Sequence, residues 1–252
     1  MKVTGRTVLV TGGTSGIGLE LARRFLAKGN VVIVTGRNED KLAAAERELP
    51  GVHAIRCDVG DPADIARLHE RVMREFPTLD IIVNNAGIMR NIKLREERSL
   101  DDIAREVDID LSGPIRMVQQ FLPHLLGRPE ATIVNVTSGL AFVPFPAAPI
   151  YSAAKAGFHA YTRALRVQLA NSDVRVIELA PPGTDTGLFR DEFSQEMNGA
   201  KPMALGTLAD KAIAGIEAGR SDIRPGLSTA LKLLSRIAPD FALRQLAKAS
   251  GY

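Results

Sequence analysis

The amino-acid sequence predicts an α/β fold: a doubly wound parallel sheet of about seven strands with helices on both faces. Two observations carry the prediction. Short apolar, β-branched runs alternate along the chain with segments whose apolar residues recur at helical spacing, the pattern of successive βαβ units. The first such run, Arg6 to Thr11 (RTVLVT), passes through a glycine-rich loop directly into a helical segment. With 252 residues, no internal repeat and no low-complexity linker, the chain reads as one domain over 1–252, with 227–252 as its helical extension.

Strand 6–11 is followed by a helix over 16–28. There Ile17, Leu21, Ala22, Phe25 and Leu26 share one face, and Gly29 offers a C-cap. Further short apolar runs place strands at 31–35, 52–57, 80–83, 132–137 and 174–179, with a short seventh at 222–224. Helices fall between them at 39–49, 62–75, 100–126, 150–171, 187–197 and 206–218. The stretch from Thr229 to Lys248 reads as two amphipathic helices broken at Pro239, basic as well as apolar. It suits a cover over a substrate cleft, an oligomer contact or attachment to a membrane surface. The shortness of each half favours the first two.

Composition narrows the function classes. Hydrophobic content of 45% and charged content of 24% are those of an ordinary globular protein. A net charge of +3, with no aromatic-interleaved basic stripe, argues against nucleic-acid binding. The lone Cys57 excludes an intrachain disulfide and a thiolate cluster; it reads as a small core residue. His53, His69, His124 and His159 have no partner at i+4 that suggests a metal site, so none is expected. No apolar run approaches the ~20 residues of a membrane span. The first strand begins within a few residues of Met1, leaving no room for a signal peptide, so a cytoplasmic location is expected.

The loop Gly12-Gly13-Thr14-Ser15-Gly16-Ile17-Gly18 lies between a strand and a helix, the context of a dinucleotide site. Gly12 lets the chain turn sharply, Gly16 lets backbone approach a pyrophosphate, and Gly18 allows close helix–strand packing. The helix N-terminus offers free N–H groups and positive partial charge to phosphates. At the end of the second strand, where an acidic residue would bind a ribose 2′-hydroxyl, stand Gly36 and Arg37. A guanidinium suits a 2′-phosphate, so NADP(H) is the preferred cofactor, with NAD(H) the alternative.

Tyr151 and Lys155 are spaced to lie one turn apart on a helix face, with Ser138 thirteen residues upstream. A free phenol titrates near pH ~10. Lowering it by roughly 3 units takes about 4 kcal/mol of preferential stabilisation of the phenolate, and a lysine at i+4 is a direct source. A serine hydroxyl beside the phenol could hold a carbonyl or alcohol oxygen. The three groups form a device for moving a proton on or off oxygen.

Together these motifs resemble the short-chain dehydrogenase/reductase family: TGGTSGIG at 11–18, CDV at 57–59, NNAG at 84–87, Ser138, YSAAK at 151–155 and PPGTDT at 181–186. The resemblance covers nearly the whole chain. Through TGRNEDKL and the C-terminal tail it extends to a subgroup named after a lipoteichoic-acid D-alanylation gene cluster. It implies a Rossmann-like fold and an NAD(P)-dependent oxidoreductase interconverting a carbonyl and a secondary alcohol. Tyr151 would be the acid/base, Lys155 would bind the nicotinamide ribose, and Ser138 would orient the substrate oxygen. Asp58 and Val59 would contact adenine, and Asn85, Ala86 and Gly87 would line the cofactor cleft. Pro181, Thr184 and Thr186 would hold the nicotinamide end, with Pro182 where many relatives carry glycine. A homodimer or homotetramer is implied, through the 100–126 helix and the stripe of Ala153, Ala156, Ala160, Ala164 and Val167. Packing of that stripe on the sheet is the alternative.

One position departs from the family pattern. Asp110 stands where relatives carry an asparagine that helps hold a water in a proton relay to the lysine. At ~7 Å and an effective dielectric of ~20, a carboxylate couples to a phenolate by about 2 kcal/mol, enough to blunt the lysine. Alternatively Asp110 pairs with Lys155, or is protonated. A tolerated near-isostere in a working enzyme is the favoured reading. The other is a catalytically weak dinucleotide-binding sensor or scaffold. Elsewhere, Arg90 to Arg98 reads as a solvated loop before the long helix, with a border of the substrate site as the alternative because it follows NNAG, and Phe142, Phe145 and Pro146 read equally as a cleft wall or as loop packing.

Overall fold

The computed structural model describes residues 2–187, 193 and 202–252. Seven parallel strands form one sheet in the order β3-β2-β1-β4-β5-β6-β7. They are β1 (Thr7–Thr11), β2 (Val31–Gly36), β3 (Val52–Arg56), β4 (Leu79–Asn84), β5 (Thr132–Val136), β6 (Arg175–Leu179) and β7 (Asp222–Ile223). The helices are α1 (Gly16–Ala27), α2 (Glu39–Glu48), α3 (Pro62–Glu75), α4 (Leu100–Val107), α5 (Gly113–Leu126), α6 (Pro149–Gln168), α7 (Leu205–Glu217), α8 (Leu227–Ile237) and α9 (Pro239–Ala249). The predicted doubly wound sheet is present, and its strand ends lie within a residue or two of the expected ones.

Strand residues alternate between two cores, as the two-residue period requires. Val8, Val10, Val32, Val34 and Ile81 face one way, onto Leu21 and Phe25 of α1 and Ala209 and Ile213 of α7. Leu9, Ile33, Ile82 and Ile133 face the other way, onto Leu68 and Val72 of α3 and Met117 and Phe121 of α5. Both faces of the central strands are thus covered, which is why they read as continuous apolar runs. Cys57 is buried in the second core, where burial pushes its thiol up to about 12, as expected of a packing residue.

One predicted helix differs. The segment 100–126 is not continuous: a π-helical turn, Asp108–Ser112, separates α4 from α5. The N–H of Gly113 bonds to the carbonyl of Asp108, five residues back. Pro114 supplies the reason. It has no N–H to give to the carbonyl of Asp110, and its ring crowds that carbonyl, so an extra residue in the turn relieves the clash. Gly113 also lets the turn sit against the end of β3, because a Cβ there would lie 2.7 Å from the Val59 carbonyl. The predicted helix over 187–197 lies outside the described residues except at Gly187 and Phe193.

The stripe of Ala153, Ala160, Ala164 and Val167 is exposed, so these residues do not pack on the sheet. The chain ends in the two helices expected about Pro239. Their inner side carries Leu231, Ala242 and Leu246, which pack on Val143 beside the 3₁₀ turn Gly139–Ala141. Ser228 of α8 is fully buried against Gly139, where a Cβ would lie 2.8 Å from its Oγ. Among the described residues no helix is long and apolar enough to cross a membrane.

Candidate active site

Strand order reverses between β1 and β4, so their carboxyl ends diverge into a crevice at a topological switch point. Every site residue predicted from the sequence falls on this edge of the sheet or on the helices beside it.

The glycine loop follows β1. Gly12 (φ +63°) and Gly16 (φ +54°) occupy the left-handed region that favours glycine. A Cβ on Gly12 would lie 2.8 Å from Cα of Ala86, so the loop sits directly on the end of β4. A Cβ on Gly18 would overlap the Gly12 carbonyl and the Asn85 amide, which makes Gly18 the close-packing glycine. At Gly16 a Cβ would fill the space between α1 and Thr186, 3.4 Å from its methyl. Ser15 caps α1 without a side-chain hydrogen bond, whereas α2, α3 and α4 are each capped by an Asn, Asp or Ser side chain. No acidic residue stands in the first turn of α1. Its N–H groups are therefore available to an anion, and the loop fits a dinucleotide pyrophosphate on this evidence.

Thr11 is a residue the sequence reading missed. Its hydroxyl accepts the N–H groups of Asn85 and Ala86, each at 3.0 Å, while the Asn85 amide donates to the Thr11 carbonyl at 3.0 Å. Asn85 thus ties β4 to the glycine loop. Gly36, expected at the end of β2, also has a packing role: a Cβ there would lie 2.8 Å from the Thr14 methyl, so the missing side chain lets the loop lie on the strand end. Arg37 follows, exposed. Asp58, at the end of β3, accepts the Gly60 N–H at 2.9 Å and pairs with Arg105 of α4 at 2.9 Å. Partial burial works against its charge, but Gly60, Arg105 and Arg37 hold its carboxyl below the ordinary range. Val59 is buried in the core beside it.

Ser138, Tyr151, Lys155 and Asp110 converge. Ser138 follows β5, accepts the Leu140 N–H at 3.1 Å, and lies beside the Tyr151 phenol, where its hydroxyl favours the phenolate. The Lys155 ammonium stands 5.6 Å from the centre of the Tyr151 ring and donates to the Val136 carbonyl at 3.3 Å. It also pairs with Asp110 at 3.3 Å, both side chains buried. The π turn aims Asp110 inward, where its other oxygen accepts the Ile88 N–H at 3.3 Å. Gly87 makes room for the pair, since a Cβ there would overlap the carboxylate.

The electrostatics differ from the expectation of a lysine that lowers the phenol. Burial pushes the Asp110 carboxyl up to about 6, against the pull of Lys155. Burial also pushes Tyr151 above its ordinary value; the Asp110 and Glu106 charges add to this, and only the Ser138 hydroxyl opposes. Asp110 takes up the lysine's charge. Glu106, one turn before Asp110 and fully buried, is another residue the sequence did not reveal. It accepts the Arg90 N–H at 3.0 Å. Arg90 itself bonds to Asp102, so it is a part-buried organiser of this wall and not the solvated residue expected.

Pro181 accepts the Gly139 N–H at 2.8 Å, tying the segment after β6 to the Ser138 turn. Thr184 and Thr186 are buried, and Thr186 faces Gly16. Phe145 packs with Met89, Phe193 and Tyr151, while Phe142 lies edge-on to His159 and under Lys232. His159 also bonds to the buried Glu178 at 2.8 Å, and Glu178 accepts the Thr137 hydroxyl at 2.7 Å. This buried network lies directly behind Ser138. Among the described residues no cluster of three or more His, Cys, Asp or Glu is placed to hold a metal ion.

Comparison with known proteins agrees with this geometry. Residues 6–197 match the short chain dehydrogenase family. Over 191 residues the chain is 47% identical to the uncharacterized oxidoreductase DltE of Bacillus subtilis (strain 168), covering 75% of each protein. Among solved structures it resembles a short-chain dehydrogenase from Sphingobium yanoikuyae in complex with NADPH. That match has a TM-score of 0.82 and 27% identity, over 96% of this chain and 95% of that one. It also resembles a 3-ketoacyl-(acyl-carrier-protein) reductase from Brucella melitensis complexed with NADH. Here the TM-score is 0.80 and the identity 27%, over 90% of this chain and all of that one.

Proposed function

The chain belongs to the short chain dehydrogenase family of oxidoreductases, and from that premise we propose that it interconverts a carbonyl and a secondary alcohol with NADP(H) as its preferred cofactor. The observation that carries the reading is the convergence of Ser138, Tyr151 and Lys155, with the ammonium 5.6 Å from the Tyr151 ring, on the same sheet edge as an open glycine loop. Gly12, Thr14, Ser15, Gly16, Ile17 and Gly18 would hold the pyrophosphate. Asp58 and Val59 would hold the adenine, and Asn85, Ala86 and Gly87 the middle of the cleft. Pro181, Thr184 and Thr186 would hold the nicotinamide end. When bound, the nicotinamide exchanges a hydride with the substrate carbon. Ser138 orients the substrate oxygen, and Tyr151 gives its proton to that oxygen in reduction or takes it in oxidation. Lys155 binds the ribose hydroxyls and, with Asp110, sets the charge around the phenol.

Both NADPH and NADH accompany the solved relatives, so cofactor choice rests on Arg37, whose guanidinium suits a 2′-phosphate. A cytoplasmic homodimer or homotetramer is the accompanying proposal, motivated by the exposed small-residue stripe on α6.

One observation favours a second reading, a dinucleotide-binding sensor or scaffold: Asp110 pairs with the lysine that should serve the phenol. NADPH oxidation across a panel of carbonyls, beside Tyr151→Phe and with direct titration of NADPH binding, separates the two. The enzyme reading expects turnover that Tyr151→Phe abolishes while binding persists. Cofactor binding with no activity that depends on Tyr151 selects the sensor.

A further inference from the structure

We infer that the outer face of α8–α9 docks on an anionic lipid surface. Five of the eleven exposed large hydrophobic side chains among the described residues fall between 227 and 243: Leu227, Leu233, Ile237, Phe241 and Leu243, each 39–69% exposed. Leu233 and Ile237 lie one turn apart, and Phe241 follows across the Pro239 break. The inner side of the same helices is spent on the protein, through Leu231, Ala242 and Leu246. The outer apolar residues therefore have no intramolecular task.

Charge selects the occupant. The exposed charges of the two helices are Arg236, Arg244 and Lys248 against Asp240, a net +2, since Lys232 turns inward over Phe142. Arg236, Arg244 and Lys248 are exposed beside the apolar positions. Two copies meeting through this face by a two-fold axis would set each cluster of cations against its own image, which is repulsive. An anionic bilayer surface answers both features at once: it takes apolar side chains into the headgroup boundary and attracts the flanking cations. The inner side of α8 packs on the turn that follows Ser138, so a docked surface would lie about one helix diameter, ~10 Å, from that turn.

Cosedimentation of the full chain tests this, using phosphatidylcholine vesicles with and without phosphatidylglycerol. Binding is expected only with phosphatidylglycerol and should weaken as salt is raised. Ile237→Ser with Phe241→Ser should lower the partition coefficient at least about tenfold. Arg236→Gln and Arg244→Gln should each lower it about fivefold. All of these positions are exposed, so unchanged thermal midpoints keep loss of binding distinct from loss of fold. Absent binding, equal binding to neutral vesicles, or indifference to these substitutions overturns the inference. So does a dimer that Ile237→Ser with Phe241→Ser dissociates, which identifies a second copy as the occupant. Retention on polyglutamate with no vesicle binding overturns it in favour of an acidic protein partner.

Discussion

Asp110→Asn isolates the charge that opposes the lysine. The amide is nearly isosteric, and its oxygen can still accept the Ile88 N–H, so the π turn should persist. Lys155 stands 5.6 Å from the ring centre, near enough to favour the phenolate, and the effective dielectric for such a pair is ~20. An ionised Asp110, taken at ~7 Å, opposes it by about 2 kcal/mol. Removing that opposition should move the tyrosine limb of the pH–rate profile about 1.5 pH units to the acid side. In alcohol oxidation, where the phenolate is the base, turnover on that limb should rise about 30-fold. The measurement is kcat against pH under saturating cofactor and alcohol, for both proteins. Folding gives an independent readout. A carboxyl raised from 3.8 to about 6 in the folded state stabilises most fully below about pH 4 and loses that contribution as pH rises through about 6. The interval is worth about 3 kcal/mol, so the stability of the native chain relative to Asp110→Asn should fall by about that much between those limits. Superimposable rate profiles, or a limb displaced to higher pH, refute the reasoning.

Three further outcomes follow from the geometry. Arg37→Ala should lower kcat/KM for NADPH by about 10- to 100-fold and leave NADH nearly unchanged, because only the 2′-phosphate loses a charged hydrogen bond; equal losses with both cofactors would remove Arg37 from specificity. Gly18→Ala should weaken NADPH binding at least about tenfold in direct titration, since the overlapping neighbours include the Gly12 backbone, which positions the loop. Glu178→Ala should strand Thr137 and His159 behind Ser138 and cost about 3 kcal/mol, roughly 10 °C in thermal midpoint for a chain of this size; a melting curve matching the native one would show the network to be dispensable.

The sheet was legible because its strands are buried on both faces and so read as apolar runs bounded by polar residues. The glycine loop, Ser138 and the Tyr151–Lys155 pair were legible because each is local in sequence. The π turn was less so: apolar periodicity across 100–126 scarcely registers one inserted residue, although Pro114 was a visible sign of trouble. Asp110 was identified as a departure, but which of its partners it would take depends on Gly87 and Lys155 from distant segments. Glu106 with Arg90, and Glu178 with His159, are pairs 16 and 19 residues apart whose meeting is fixed by tertiary packing. An acidic residue on a helix looks the same in sequence whether it faces water or an arginine.

The charges gathered at the phenol also bear on direction. Two buried carboxyl groups, Glu106 and Asp110, lie on successive turns facing Tyr151, and the lysine's charge is shared with one of them. Burial and these carboxylates hold the phenol protonated at neutral pH. A protonated phenol is ready to act as the acid in carbonyl reduction; it must first lose its proton to act as the base in alcohol oxidation. Reduction should therefore run at a rate nearly independent of pH through neutrality, while oxidation should climb about tenfold per pH unit over the same range, wherever the chemical step limits turnover. Solvent deuterium isotope effects on both directions identify whether it does. If oxidation were as flat as reduction with proton transfer limiting, the phenol would already be ionised at neutrality, and the shared lysine could not be what governs it.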